Sequence, residues 1–226
     1  MTTLPNKDKD EAISRYTERF NNYGYSPKSL GWNKGKQEIR FDVLLSKFHL
    51  ENKSFLDIGC GFGDLNSFLD QKTNTYQYLG IDLVGDFVDF AAKKWDKEYQ
   101  KFICDDFLKV NIVEDIDISI ASGIFNHKLL GINNYEYFEL VLKKSFLLSN
   151  QGVAFDFLSD KVDYKEDNLF YFNPEKVLSI AYKYSSNLFL RNDYMPFEFS
   201  VVLFKDSNFD STDTVYKRFK SSEFIL

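Results

Sequence analysis

The chain has few of the residues that staple a fold or ligate a metal: two cysteines, two histidines and four prolines in 226 residues. Cys60 and Cys104 form no C-x-x-C pair, and only His49 and His127 could join them. A structural zinc site needs four ligands at short spacings, so no metal is expected. A Lys/Arg block is also missing. With a formal net charge of −6 and a pI near 5.1, the chain lacks the basic face of a duplex binder, and nucleic acid is not an expected partner. No run approaches the ~18 apolar residues of a membrane span. The opening MTTLPNKDKDEAISRYTERF holds no apolar core of a secretory signal. These absences predict a cytoplasmic protein with no membrane partner. The apolar share of 44% is that of a globular chain. The length suits one domain, 1–226, with a helical cap over 1–50, a core over 51–206 and a tail over 207–226.

What is present is an alternation of strand and helix patterns. Residues 8–22 have helical spacing, with Ile13, Tyr16, Thr17 and Phe20 on one stripe. NNYGYSPKSLGWNKG reads as a loop, and residues 35–49 resume helical spacing through Ile39, Leu44, Leu45 and Phe48. Strands are predicted over Lys53–Ile58, Tyr76–Leu83, Tyr99–Cys104, Ile116–Ser122 and Gly152–Leu158. Helices are predicted over Asp64–Leu69, Asp86–Trp95, Tyr135–Leu148 and Pro174–Tyr184, the last with proline at its tolerated first position. Asn187–Tyr194 and Phe197–Lys205 read as two strands about a tight Met195-Pro196 turn. With no room for a helix between them, they must pair antiparallel. Alternating strands and helices imply parallel β-α-β units with helices on both faces.

The informative segment is Phe55-Leu56-Asp57-Ile58-Gly59-Cys60-Gly61-Phe62-Gly63-Asp64-Leu65. An apolar strand runs into alternate glycines and then a helix. Glycine permits a sharp turn and lets a ligand lie against the backbone, while the helix start presents free N–H groups. A dinucleotide fingerprint would need glycine at position 64, where this chain has Asp64. Asp57, inside the strand end, would repel a pyrophosphate but suits a cationic, amine-bearing ligand. A nicotinamide-dependent oxidoreductase is disfavoured on both counts.

LDIGCGFGDL resembles the S-adenosylmethionine (SAM) motif of class I methyltransferases, and the resemblance extends as an ordered set of motifs over roughly residues 54–160. The flanking YGYSPKSLGW and RNDYMPFEFSVVLFK resemble, more loosely, small-molecule methyltransferases. The resemblance implies a Rossmann-like, doubly wound, mostly parallel seven-stranded α/β sheet, with an antiparallel C-terminal hairpin and an N-terminal helical cap. The implied cofactor is SAM, with S-adenosylhomocysteine (SAH) as product. Gly59, Gly61 and Gly63 would pass beneath the methionine and ribose parts, with Cys60 as a small residue fitting the turn. Asp57 would orient the SAM amino group directly or through water, or else serve as a cap. Asp82, with Leu83 beside it, would accept the ribose hydroxyls; a carboxylate suits a diol. Asp105 or Asp106, with the former less favoured, would take the adenine amine, and the Phe107 N–H would reach the ring. Ser122 and its neighbours would wall the methyl-donor site.

Methyl transfer to oxygen often needs a base as well as alignment. His127, just past the Ile116–Ser122 strand, is the candidate; a loop-capping histidine is the alternative. The segment from Gly24 to Gln37 carries Lys28, Lys34 and Lys36 with Tyr25 and Trp32 and no acid. It reads as a lid suited to a sugar or anionic acceptor, or as a solvated loop. Arg40 either reaches the SAM carboxylate or is an ordinary surface arginine. Tyr194 and Glu198 either shape the acceptor pocket or hold the hairpin. The expected function is methylation of a small-molecule acceptor by a monomer or homodimer, at an oxygen of a sugar, sugar-linked or anionic metabolite. The alternatives are N-methylation of a small amine and a non-catalytic SAM-binding regulator.

Overall fold

The computed structural model describes residues 3–31 and 36–206; Trp32, Lys34 and the 207–226 tail lie outside the described residues. Helix α1 (Asn6–Tyr23) and α2 (Gln37–Leu45) precede the sheet. There follow β1 (Lys53–Ile58), α3 (Leu65–Lys72), β2 (Tyr76–Asp82), α4 (Gly85–Lys94), β3 (Gln100–Cys104) and β4 (Ile116–Ala121). The chain continues through α5 (Asn134–Leu148), β5 (Ser149–Leu158), α6 (Pro174–Ala181), β6 (Leu188–Arg191) and β7 (Glu198–Phe204).

The seven strands lie in the order β3-β2-β1-β4-β5-β7-β6. The first five are parallel, and β7 is antiparallel to both β5 and β6. The strand order reverses between β1 and β4, which opens a crevice at the carboxyl ends of the parallel strands.

Both faces of the parallel strands are buried, and the pleat divides their side chains between two layers. Leu56 and Ile58 of β1, Leu79 and Ile81 of β2, and Phe155 and Phe157 of β5 join Phe138, Val141 and Leu142 of α5 on one side. Phe55, Tyr78, Ile118 and Ile120 join Phe41, Leu44 and Leu45 of α2 and Leu65 and Leu69 of α3 on the other. A third cluster of Phe62, Val84 and Phe87, with Tyr16 and Phe20 packed on it, seats α1 against α4.

Local capping explains the sharp helix starts. The Asn133 side chain accepts from Tyr135 N–H before α5, and the Asn173 side chain accepts from Lys176 N–H with Pro174 leading α6.

The C-terminal strands differ from the sequence expectation. β6 ends at Arg191, and residues 192–197 form a wider connection in place of a tight Met195-Pro196 turn. Phe197 takes a left-handed φ of 68° to re-enter the sheet. Helix α2 is shorter than residues 35–49; Phe48 sits in the turn after it, packed on Phe204 of β7. No helix among the described residues is long and apolar enough to cross a membrane.

Candidate active site

The carboxyl ends of β1, β2, β3 and β4 open into one cleft of about 1160 Å³, its open mouth included. The glycine-rich turn forms its floor. Gly59 and Cys60 N–H groups both donate to Ile81 O, at 2.7 and 3.1 Å, tying the turn to β2. Gly59 has φ 74°, and a Cβ there would lie 2.2 Å from Ile124 Cγ2. Gly61 has φ 53°, and its Cβ would meet Leu30 Cδ2 at 2.8 Å. Side chains at these positions would be strained and would fill the cleft floor. Gly63 faces elsewhere; a Cβ on it would press on Trp95 and Phe102, so its smallness serves packing. The buried Cys60 thiol is pushed well up by burial, which removes it as a nucleophile.

Asp82 lies on the cleft wall, with Leu83 next to it. Its carboxylate accepts from Gly61 N–H at 2.8 Å and from Val84 N–H at 2.9 Å. Asp105 and Asp106 now separate. Asp106 is 2% exposed and accepts from Leu4 N–H and Leu108 N–H, each at 3.0 Å. Asp105 also lines the cleft; it accepts from Asp106 N–H and lies 3.8 Å from Lys9. Phe107 completes this end of the cleft. Ser122 lines the wall at the end of β4, and its hydroxyl donates to buried Asp156 of β5, which also accepts from Gly123 N–H at 2.7 Å.

Asp57 is placed differently from a direct ligand. The pleat turns it to the same layer as Phe55, and Tyr78 O–H donates to its carboxylate at 2.8 Å beneath the glycine turn. It supports the cleft floor without being part of the wall.

Arg40 does not reach toward a cofactor carboxylate. Its Nε donates to Glu198 Oε2 at 2.8 Å, and Nη2 makes a second contact with Oε1. This buried two-point pair joins α2 to β7, with Tyr194 beside it. Arg40, Glu198 and Tyr194 lie behind the cleft wall rather than on it. The lid residues are also differently employed. Tyr25 stacks on Phe90 at 4.9 Å and donates to Asp64 at 2.7 Å, which pins the loop to the outside of α4. Lys36 is exposed, and its neighbour Gln37 lines the cleft.

His127 does line the cleft, and its Nε2 lies 3.1 Å from the Tyr16 hydroxyl on α1. Its backbone pairs with Leu169. Burial, and then the charges of Arg15 and Arg19, pull the imidazole down to about 4, so it is neutral at pH 7. The N-terminal helical cap forms the roof here and brings Tyr16 to His127, a pairing that the sequence does not name. Leu4, Asp8, Glu11, Arg15 and Tyr16 all face the cleft. Asp8, Glu11 and Arg15 follow one another at three and four residues along one side of α1, with Tyr16 beside Arg15.

Three carboxyl groups in and beneath the cleft are held above their ordinary range. Burial pushes the Asp57 carboxyl up to about 7, opposed by the Tyr78 hydrogen bond. Burial also raises Asp82 against the N–H groups of Val84 and Gly61, and raises Asp156 against Arg40 and Ser122. Of these three only Asp82 lines the cleft, where its carboxyl can accept from hydroxyl groups of a bound ligand; Asp57 and Asp156 lie beneath it and hold Tyr78, Ser122 and Gly123.

Comparison with known proteins agrees. The methyltransferase domain family matches residues 55–137. A Mycobacterium tuberculosis protein named as a methyltransferase is 31% identical over 160 residues, covering 68% of this chain and 94% of that protein. Malonyl-[acyl-carrier protein] O-methyltransferase of Priestia megaterium is 26% identical over 109 residues, covering 48% of this chain and 40% of that protein. In fold, the SAM-bound magnesium protoporphyrin IX methyltransferase of Synechocystis superposes with a TM-score of 0.65 at 14% identity, over 91% of this chain and 100% of that one. A sheet of this strand order, a glycine turn at the end of its first strand and a relative aligned over nearly its whole length converge on one assignment: the chain belongs to the class I SAM-dependent methyltransferases.

Proposed function

We propose that the acceptor is a small hydroxylated or anionic metabolite, such as a sugar or sugar-linked group, and that the methyl goes to an oxygen. The observation carrying this reading is the Tyr16–His127 pair on the cleft wall, with Arg15 and Lys128 on the same wall. SAM, when bound, supplies an electrophilic methyl group on a sulfonium. The chain's residues align the acceptor and handle its proton. As the acceptor oxygen takes the methyl, its proton passes to the Tyr16 oxygen, and the Tyr16 proton passes to Nε2 of the neutral His127. Arg15, steadied by Glu11 one turn earlier, offers a charged donor to an anionic group.

The test uses labelled SAM with a panel of sugars, hydroxy acids and amines. Label on an acceptor oxygen is expected. Tyr16→Phe and His127→Ala should each lower kcat by about 10², the low end for acid–base catalysis because the imidazole is a weak base. Acting as one unit, the two changes together should cost no more than either alone. A small amine is the competing acceptor, favoured by that same weak basicity, since an unprotonated amine needs little help. Label on nitrogen alone would replace the oxygen reading with this one.

A further inference from the structure

The Asp8 side chain is the unused charge in the roof. It sits in the first turn of α1, is 4% exposed, and accepts two backbone N–H groups from a loop more than a hundred residues away. Leu130 N–H lies at 2.6 Å from one oxygen and Gly131 N–H at 2.9 Å from the other. The fit is close: a Cβ on Gly131 would stand 2.7 Å from Pro5 Cβ and 2.8 Å from Asp8 Oδ2. Just before it, Leu4 N–H is held by Asp106, and Lys9 faces Asp105. The start of α1 is thus tied to the loop after His127 and to the end of β3 together, while Tyr16 two turns on meets His127.

We propose that Asp8 is a positioning residue. It clasps α1 over the cleft, so that opening the cleft to release the bound nucleoside product requires breaking its two charge-assisted hydrogen bonds. Both its oxygens are engaged by Leu130 and Gly131 N–H, and it acts by holding the helix that carries Tyr16 and Arg15. The inference rests on the methyltransferase assignment and does not depend on which atom accepts the methyl.

The probe is SAH on the full chain, its dissociation rate followed by surface plasmon resonance. Asp8→Ala is expected to speed dissociation by about tenfold or more, the rate equivalent of losing one hydrogen bond to a charged group. Amide exchange over α1 should rise, with exchange in β1, β4 and β5 unchanged. Gly131→Ala approaches the clasp from its other side and leaves the carboxylate in place; it should act in the same direction. If Asp8→Ala fails to fold, Gly131→Ala decides alone. A wild-type SAH dissociation rate in either folded variant, even with a lowered Tm, overturns the proposal and leaves Asp8 an ordinary stabilising residue.

Discussion

The phenol oxygen of Tyr16 lies 3.1 Å from Nε2 of His127, joining the first helix to the loop beyond β4. The contact is made by an imidazole that burial, with Arg15 and Arg19, holds at about 4. Two consequences for pH follow. The rate should show no inflection from His127 between pH 5 and 8, since the ring is already neutral. Stability should respond lower down. An unfolded histidine binds a proton below about 6.5 while the folded one does so only near 4, so the unfolded state holds more protons between these values. The stability contributed by the neutral ring is therefore complete above pH 6.5 and is lost as pH falls toward 4, by as much as about 3 kcal/mol. An NMR titration of the His127 ring checks this directly; a midpoint near the ordinary histidine value would contradict it.

Asp82→Ala should weaken both SAM and SAH by roughly 1–3 kcal/mol, read by calorimetry. The carboxylate already bonds Gly61 and Val84 N–H groups, so its loss loosens the turn as well as removing an acceptor for ribose hydroxyls. Wild-type affinity in this variant would eliminate the ribose role.

Gly61→Val should abolish SAM binding in a chain that still folds. The left-handed φ of 53° and the 2.8 Å approach of Leu30 leave no relaxed place for a branched side chain on the cleft floor. Circular dichroism confirms folding; normal SAM binding by calorimetry would move the cofactor site away from this turn.

Asp57 and Tyr78 form a buried pair whose energetics can be separated. Asp57→Ala leaves the Tyr78 hydroxyl without its acceptor and should cost about 1–3 kcal/mol in urea unfolding. Adding Tyr78→Phe removes the orphaned group, so the double variant should be more stable than Asp57→Ala alone. An additive loss would mean the two residues do not depend on one another.

Much of the molecule was written locally. The run from Phe55 to Gly63 places an apolar strand, a turn only glycine tolerates and a helix start within a few residues, all short-range steric requirements. The alternation of strands and helices leads by the crossover rule to the parallel sheet, and Asp82 lines the cleft because it is the last residue of β2, at the carboxyl edge where the crevice opens. Asp57 was partly legible: its pleat parity with Phe55 already directs it to the layer of Tyr78.

Other placements depended on partners far along the chain. Sequence alone offers Arg40 a cofactor carboxylate or the surface; the fold gives it Glu198, 158 residues on. The helical spacing over residues 8–22 names only the stripe of Ile13, Tyr16, Thr17 and Phe20; packing on Phe62 and Phe87 is what turns Asp8, Glu11 and Arg15 onto the cleft. Local sterics and periodicity, carried by neighbouring residues, determined the sheet and the glycine turn. The roof, the Tyr16–His127 pair and the Asp8 clasp were decided by tertiary packing, because a polar side chain takes its meaning from the group it meets, and no spacing within one segment names a partner a hundred residues away.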